Sequence, residues 1–443
     1  MHNNMDGKFI RDCIHGDIFL SNKFLKIIDT SEFQRLRRIR QLAIVNLLFP
    51  CAEHTRFSHS LGTFHIMGRI IKHFEKEFKN INMSIDSRDK EVALAAALLH
   101  DIGHGPFSHT FEEICSNKTM NHEIWTIKII TDESTDLNKV LVENFDQDFP
   151  KDVASLINKS SYKQNYCDKE IDLSFILSSL VSSQIDADRM DYILRDSVHT
   201  GVSYGNIDIS RIIKSMTIKN IKDKYFLCVY EKYIPDIESY LLSRYQMHKG
   251  VYNHSFKCEM EGVIKKIFFR MKELFKCNDL NKYMIPKGII PILTDREYTL
   301  DEYTSIDDST LLYLFSELRN SNDLILSKLC KCVVDRNKFE QLNDIENMDL
   351  YKSKLISDLK KIGYEVEDLK KEYFWLEVSK NYKAYEIKKD NIFVYDNRRN
   401  IKDLSEASNI ISQSVCEEKT DIFINKDILN DLIESNELKL KNV

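Results

Sequence analysis

A mainly α-helical protein with a smaller mixed α/β module at its C-terminal end is predicted, on three observations. Glycine and proline are scarce, 12 and 6 in 443 residues, and both thin out further after Pro291, so little interrupts helix formation. Apolar residues recur at three- and four-residue spacing over long stretches. Past residue 275 this texture gives way to proline-broken, then alternating, sequence.

Taken in order, residues 59–78 (HSLGTFHIMGRIIKHFEKEF) and 87–100 (SRDKEVALAAALLH) carry the helical period, the second with Asp86 or Ser87 placed to cap it. The period returns in 171–195 and 235–275, so residues 1–275 are expected to form one all-helical domain. Residues 276–292 (KCNDLNKYMIPKGIIPI) hold two prolines and lose the period, as a linker or domain edge does. Within 276–443, residues 300–370 are helical and strongly charged. Residues 373–396 (YFWLEVSKNYKAYEIKKDNIFVYD) alternate aromatic and branched side chains and predict two or three strands. The tail from 402 is helical again, apart from a strand-like FIN near 423.

Composition excludes several classes. With 43% hydrophobic and 30% charged residues the chain reads as an ordinary soluble protein, and a net charge of -6 argues against an electrostatic grip on nucleic acid. The N-terminal MHNNMDGKFIRD has no apolar signal region, and no run approaches the length of a membrane span, so a cytoplasmic location is expected. Ten cysteines without paired framework spacing fit reduced thiols. Cys330 and Cys332 have no matching second pair and are not expected to bind zinc.

Chemistry concentrates in residues 94–109, LAAALLHDIGHGPFSH. An apolar helix ends in His100-Asp101, and His104 and His109 follow in a loop broken by Gly103, Gly105 and Pro106. A lone histidine there could simply serve the last carbonyls. Asp101 is different: a carboxylate at the negative end of a helix dipole needs a positive partner, and a metal ion is one. Further ligands must come from elsewhere. HTRFSHSLGTFH (54–65) offers His54, His59 and His65 beside Arg56, and QIDADRMDYILRD (184–196) offers Asp186, Asp188, Asp191 and Asp196. Asp188, Asp191, Tyr192 and Arg195 share one helical face, while Asp186 points away from most of that set, which leaves Asp186 and Asp188 both open as ligands. The apolar residues between these acids leave them little exposed surface, and buried acids need cations.

A histidine in RFSHSLG, the doublet in LLHDIGHGPFSH and an aspartate in IDADRMDY closely resemble the HD-domain phosphohydrolases, and among them the deoxynucleoside triphosphate (dNTP) triphosphohydrolases of the type found in the sterile-alpha-motif and HD-domain protein. The resemblance runs from about residue 8 to 260 and implies His59, His100, Asp101 and Asp188 as ligands of a divalent ion (Fe, Mn, Zn or Mg). FIRDCIHGDIFL and IIDTSEFQRLRRIRQLA, within 9–43, resemble the family's N-terminal segment. NHE (121–123) matches a further active-site histidine, His122, and RYQMHKGVYNH (244–254) keeps the spacing that yields Arg244, His248, Tyr252 and His254. No sterile-alpha-motif module is expected ahead of this core.

The implied reaction is attack on the α-phosphorus of a dNTP, releasing deoxynucleoside and triphosphate. His109 is the first candidate proton donor and His122 the second, with Glu112 orienting His109 where the family usually has Asp. Arg56, Arg189, His104 and Arg244 would neutralise the phosphates together with Mg²⁺, though singly each arginine also fits a surface ion pair. Tyr192, Asp196 and His248 complete the implied substrate contacts. Tyr252 with Gln41 and Leu42 would select the sugar, and Asn253, which replaces a common Gln, leaves the base open. Asp29, Gln34 and Arg37 match residues that read a guanine nucleotide between subunits, and equally fit a charged helix N-terminus capped by Asp29 or Thr30; Arg11 and Asp17 depart from the family nearby. The expectation is a nucleotide-responsive homo-oligomer serving nucleotide control or antiviral defence. Its alternatives are another HD-domain phosphohydrolase, acting on nucleoside monophosphates, cyclic nucleotides or nucleic-acid ends, and a nucleotide-sensing scaffold.

Overall fold

The two helices that carry the first histidine motifs form where the apolar spacing places them. Helix α1 (Arg56–Lys79) buries Phe57, Leu61, Phe64, Met67, Ile70 and Phe74 along one stripe. Helix α2 (Ser87–Leu99) starts at Asp86, whose carboxylate accepts the Arg88 N–H at 2.7 Å, and its run from Val92 to Leu99 is buried on almost every side. Small alanines let it pack closely, so its C-terminal end delivers His100-Asp101 into the interior. The computed structural model describes residues 6–79, 84–115, 121–158, 174–221, 224–342, 348–363, 373–382, 391–398, 400–412 and 417–434.

Short helices α3 (His109–Ile114) and α4 (His122–Thr131) follow the histidine loop. The expected helix over 171–195 is two helices, Ser174–Val181 and α5 (Ala187–Thr200), because Asp186 caps α5 by accepting the Arg189 N–H at 2.7 Å; residues 171–173 lie outside the described set. Gly201, at φ 76°, ends α5. Between residues 56 and 193 the described regular elements are all helical. The expectation of helices alone up to 275 fails at two hairpins. β1 (Gly7–Asp12) and β2 (Gly16–Ser21) pair antiparallel, with Ile18 and Leu20 turned inward. β3 (Met216–Ile221) pairs with β4 (Lys224–Tyr230). Of these strands β2 alternates inward and outward positions, a period-two signal only six residues long inside an otherwise helical texture.

The expected 235–275 helix divides into α6 (Ile234–Met247), a π-helical turn His248–Tyr252, and α7 (Ser255–Lys276). Two units result: Met1–Glu112 with Asn117–Lys249 and Lys383–Val415, and Glu113–Ser116 with Gly250–Tyr382 and Cys416–Val443. The division falls before residue 275 because α7 packs on the helix Leu324–Val334 and on β6 (Trp375–Tyr382) within the second unit. Strands β7 (Phe393–Tyr395) and β8 (Ile401–Asp403) extend the β3-β4 sheet of the first unit. In the second, β5 (Phe339–Leu342), β9 (Glu417–Asn425) and β6 form an antiparallel sheet. The strands expected over 373–396 therefore serve two different sheets, and the FIN segment lies in β9. The 300–370 stretch is helical except for β5, with residues 343–347 and 364–370 outside the described set. No helix among the described residues is long and apolar enough to cross a membrane.

Glu259 on α7 is buried and accepts the Phe339 N–H at 2.6 Å where β5 begins. Burial pushes its carboxyl up to about 7 from the ordinary 4.5. The folded second unit therefore holds a proton that the unfolded chain has released, and this contribution to stability is full below about 4.5 and disappears as pH rises through about 7. Glu259→Gln keeps an acceptor for Phe339 and removes the titration. Thermal unfolding of the variant should vary less than that of the wild type over this interval and exceed it above pH 7; parallel curves would contradict the assignment.

Candidate metal centre

Three helix ends meet at one buried point. His59 lies in the first turn of α1, His100 and Asp101 just past α2, and Asp188 in the first turn of α5. His100 donates from Nδ1 to the Ala97 carbonyl at 2.9 Å, one turn back in its own helix. His59, fully buried, donates from Nδ1 to Asp191 Oδ2 at 2.8 Å. These partners hold a proton on Nδ1 of each ring and leave the two Nε2 atoms, open to a second proton or to a metal ion, facing each other across 3.3 Å. Asp188 Oδ1 is 2.9 Å from His59 Nε2 and 3.4 Å from that of His100, and Asp101 approaches these nitrogens at 3.7 and 3.4 Å. Donor atoms of His59, His100 and Asp188 all lie within 4.8 Å of one another.

Their electrostatics call for a cation. Burial alone disfavours an imidazolium at His59, but Asp188 and Asp191 more than offset it and hold the ring's pKa up at about 10. Burial likewise opposes the charge on Asp101, yet Arg56 and His100 keep its carboxyl well below the usual range. Arg56 hydrogen-bonds Asp101 directly and supplies part of the positive partner that a carboxylate at a helix C-terminus requires. With the rings neutral, Asp12, Asp101, Asp188 and Asp191 against Arg56 and Arg195 leave two net negative charges in this ion-pair network, which a divalent ion would balance. A proton on His59 Nε2 and a metal ion there are mutually exclusive. These His and Asp groups fit a divalent metal. The side chain of Asp188 is 30% exposed while that of His59 is fully enclosed, so the group is open on one side only.

Asp191 is the residue that the sequence motifs did not single out as functional. One of its oxygens orients His59, and the other is met by His15 Nε2 at 2.6 Å. The fully buried Arg195 bonds Asp191 at 2.8 and 3.0 Å and Asp12 at 2.8 Å, and Asp12 in turn accepts the Ile14 and His15 N–H groups in the β1-β2 turn. Gly62 makes room for this: a Cβ there would stand 1.9 Å from Asp191 Oδ1. The (i, i+4) spacing of Asp191 and Arg195 was the available signal, but its connection to a histidine 132 positions away was not.

A second group adjoins the first through Asp101. His104 Nε2 lies 3.3 Å from Asp101 Oδ1, and its ring stacks on His122 at 4.0 Å. Glu112 accepts from His122 Nδ1 at 2.8 Å and stands 3.6 Å from His109 Nδ1, so the carboxylate expected to orient His109 is nearer to His122, and His109 is largely exposed. Burial, Arg56 and His122 hold the His104 imidazolium far below its ordinary pKa, and its buried Nδ1 has no hydrogen-bond partner among the described residues. His104, Glu112 and His122 are also close enough to share a cation. Phe107 and Ser108 take left-handed φ values of 54° and 52°, a costly conformation for non-glycine residues; Phe107 is buried, and Ser108 Oγ receives two bonds from Arg56 at 2.8 and 3.1 Å.

Among the other expected site residues, Arg244 is buried with Nε and Nη1 unpaired among the described residues, and Gln41 Oε1, beside buried Leu42, is likewise buried without a described partner. Tyr192 packs against His59 with ring centroids 6.4 Å apart and planes inclined at 61°. Arg56 spends its donors on Asp101 and Ser108, Arg189 binds Asp186 and the Ser183 carbonyl, and Asp196 accepts from His54 at 2.7 Å. His248 opens the π-helical turn, whereas Tyr252 and Asn253 belong to the second unit. Gln34 and Arg37 bond each other at 2.8 Å, but Asp29 is an exposed C-cap; Thr30 holds the N-cap position without a side-chain cap, its hydroxyl donating to the Ile27 carbonyl instead. Arg11 and Asp17, the two departures from the family, pair with each other across the hairpin at 3.0 Å.

Residues 56–193 match the HD domain. Across 98% of the chain and 96% of the relative, 34% of residues are identical to the uncharacterized protein YwfO of Bacillus subtilis. A crystal structure of a phosphohydrolase from Bacteroides thetaiotaomicron superposes with a TM-score of 0.78 at 27% identity, over 95% of this chain and all of that one. The chain belongs to the HD-domain phosphohydrolases. This HD-domain protein is also 31% identical to a Dictyostelium discoideum protein named deoxynucleoside triphosphate triphosphohydrolase SAMHD1 homolog, over 61% of its own length and 51% of the relative's. For the Xenopus laevis SAMHD1 the values are 28%, 78% and 55%, so the chain spans about half of these two relatives.

If Asp191 holds His59 in the ligand tautomer, Asp191→Asn should weaken Mn²⁺ binding by about 10- to 100-fold, as loss of a carboxylate behind a ligating histidine does. Chelator competition on the folded variant measures this, and wild-type affinity would contradict the role.

Proposed function

We propose that this HD-domain phosphohydrolase is a metal-dependent dNTP triphosphohydrolase. The observation that carries the reading is the junction at Asp101: one side meets a metal-type His/Asp group, the other a histidine-carboxylate group suited to proton transfer. The names of the Dictyostelium and Xenopus relatives support the substrate class. His59, His100, Asp101 and Asp188 would hold the ion, whether Fe, Mn, Zn or Mg. A divalent ion, when bound, lowers the pKa of a coordinated water and draws charge from a phosphoryl oxygen.

The side chains do the rest. Arg244, with two buried nitrogens unpaired, offers a guanidinium to the phosphate chain and gains the partners it lacks. Arg189 adds positive charge beside Tyr192, and Mg²⁺ would travel with the substrate phosphates. As the bond from the α-phosphorus to O5′ breaks and a water oxygen replaces O5′, the departing oxygen needs a proton. His122, held by Glu112, and the more exposed His109 are the donors on that side. Gln41 Oε1 is free to accept from the 3′ hydroxyl. Water and dNTP thus become deoxynucleoside and triphosphate.

Incubation with each dNTP and NTP in Mn²⁺ should yield deoxynucleoside and tripolyphosphate from the dNTPs. Asp101→Ala and His59→Ala should bring turnover below detection, and Arg244→Ala should lower kcat/KM by about 10- to 100-fold, the worth of a charged hydrogen bond. Orthophosphate or pyrophosphate as the first product would overturn the proposal in favour of another phosphohydrolase activity.

A further inference from the structure

A cleft of about 540 Å³ opens in the first unit where the β1-β2 turn, α1 and residues 206–210 meet, and none of the proposed metal or catalytic residues lines it. Its polar walls are His15, His65, Arg69, Asn206, Asp208 and Ser210. The His15 side chain is 3% exposed, commits Nε2 to Asp191, and stacks on His65 with centroids 5.1 Å apart. His65 has no hydrogen-bond partner among the described residues. Burial, with His15 and Arg69 beside it, pushes its pKa down to about 4, so at neutral pH it presents one N–H and one lone pair. Arg69 Nη2 donates to Ser210 Oγ at 2.8 Å, and its other donors meet no described side chain. Asp208, the acid on this wall, accepts the Arg211 N–H at 3.0 Å as a helix cap and draws on Arg69 electrostatically.

We propose that this cleft binds a phosphate-class oxyanion between Arg69, His65 and Ser210. A guanidinium fork with unused donors matches the several acceptor oxygens of a phosphate, and the Ser210 hydroxyl is already turned toward it. An anion seated in this cleft would meet these donors in place of water, with a charge-assisted bond from the guanidinium. The cleft falls within the range of small-molecule sites and exceeds one phosphate, which leaves room for a longer phosphate chain or the body of a nucleotide. The inference does not depend on the reaction at the metal centre: its walls are separate, although His15 is also the outer partner of Asp191.

Calorimetric titration of the full chain in EDTA, with inorganic phosphate, tripolyphosphate and dAMP as separate probes, tests it. Binding should be equal in the wild type and Asp101→Ala, at least about tenfold weaker in Arg69→Ala, and weaker in Ser210→Ala, with unchanged thermal unfolding showing that the last two fold. Tighter binding of tripolyphosphate than of dAMP would assign the cleft to a free polyphosphate, the reverse order to a nucleotide tail, and either supports it. Affinity unchanged by Arg69→Ala, affinity lost only in Asp101→Ala, or no binding of any probe would overturn it.

Discussion

Two imidazoles and two carboxylates converge on one buried point that needs a cation, either a proton on His59 or a metal ion in its place, and the architecture of the first unit is arranged around that need. With the Nδ1 protons of His59 and His100 committed to Asp191 and Ala97, the two Nε2 atoms 3.3 Å apart can be bridged only by a second proton or by a metal ion that displaces it. Removing charged groups from water costs several kcal/mol per ion unless they are paired. With the imidazoles neutral, Arg56 and Arg195 offset half of the four acids, and a divalent ion would offset the remainder. The close packing of α1 against α5, permitted by Gly62, and the hairpin turn closed by Asp12 both follow from holding Asp191 in place.

The same arrangement gives the centre a front and a back. On the back, Asp191, Arg195, Asp12 and His15 form a buried network that fixes ligand orientation and excludes water. On the front, Asp188 is partly exposed, and His104 stands beside Asp101 and links it to His122 and Glu112. A rigid back and an accessible front are what a site needs when a nucleophile must be positioned and a substrate must still enter and leave. Arg244 and Gln41, with buried atoms unsatisfied, mark where a ligand would complete the pairing.

Much of this was legible in residues 94–109 alone. Asp101 at a helix C-terminus signals a missing positive charge, and the histidines beside it signal its kind; α1 and α2 lie within a few residues of their expected bounds. Helical spacing left Asp186 and Asp188 both open and the family resemblance chose Asp188; the structure accounts for Asp186 differently, as the cap of α5. What stayed hidden depends on long-range pairing. In the β1-β2 hairpin only β2 alternates, over six residues, too short to stand out beside helical periodicity, and the boundary near 250 depends on where α7 packs. Asp191 was visible on the correct helical face, yet its meaning came from His59 and His15, each more than 130 residues distant.

Anomalous diffraction from crystals grown with Mn²⁺ and no nucleotide tests the central claim most directly. One strong peak is expected, within coordinating distance of His59 Nε2, His100 Nε2, Asp101 and Asp188, with the two imidazoles still donating from Nδ1 to Asp191 and Ala97. A peak held by other residues alone, or none at saturating Mn²⁺, would contradict the account.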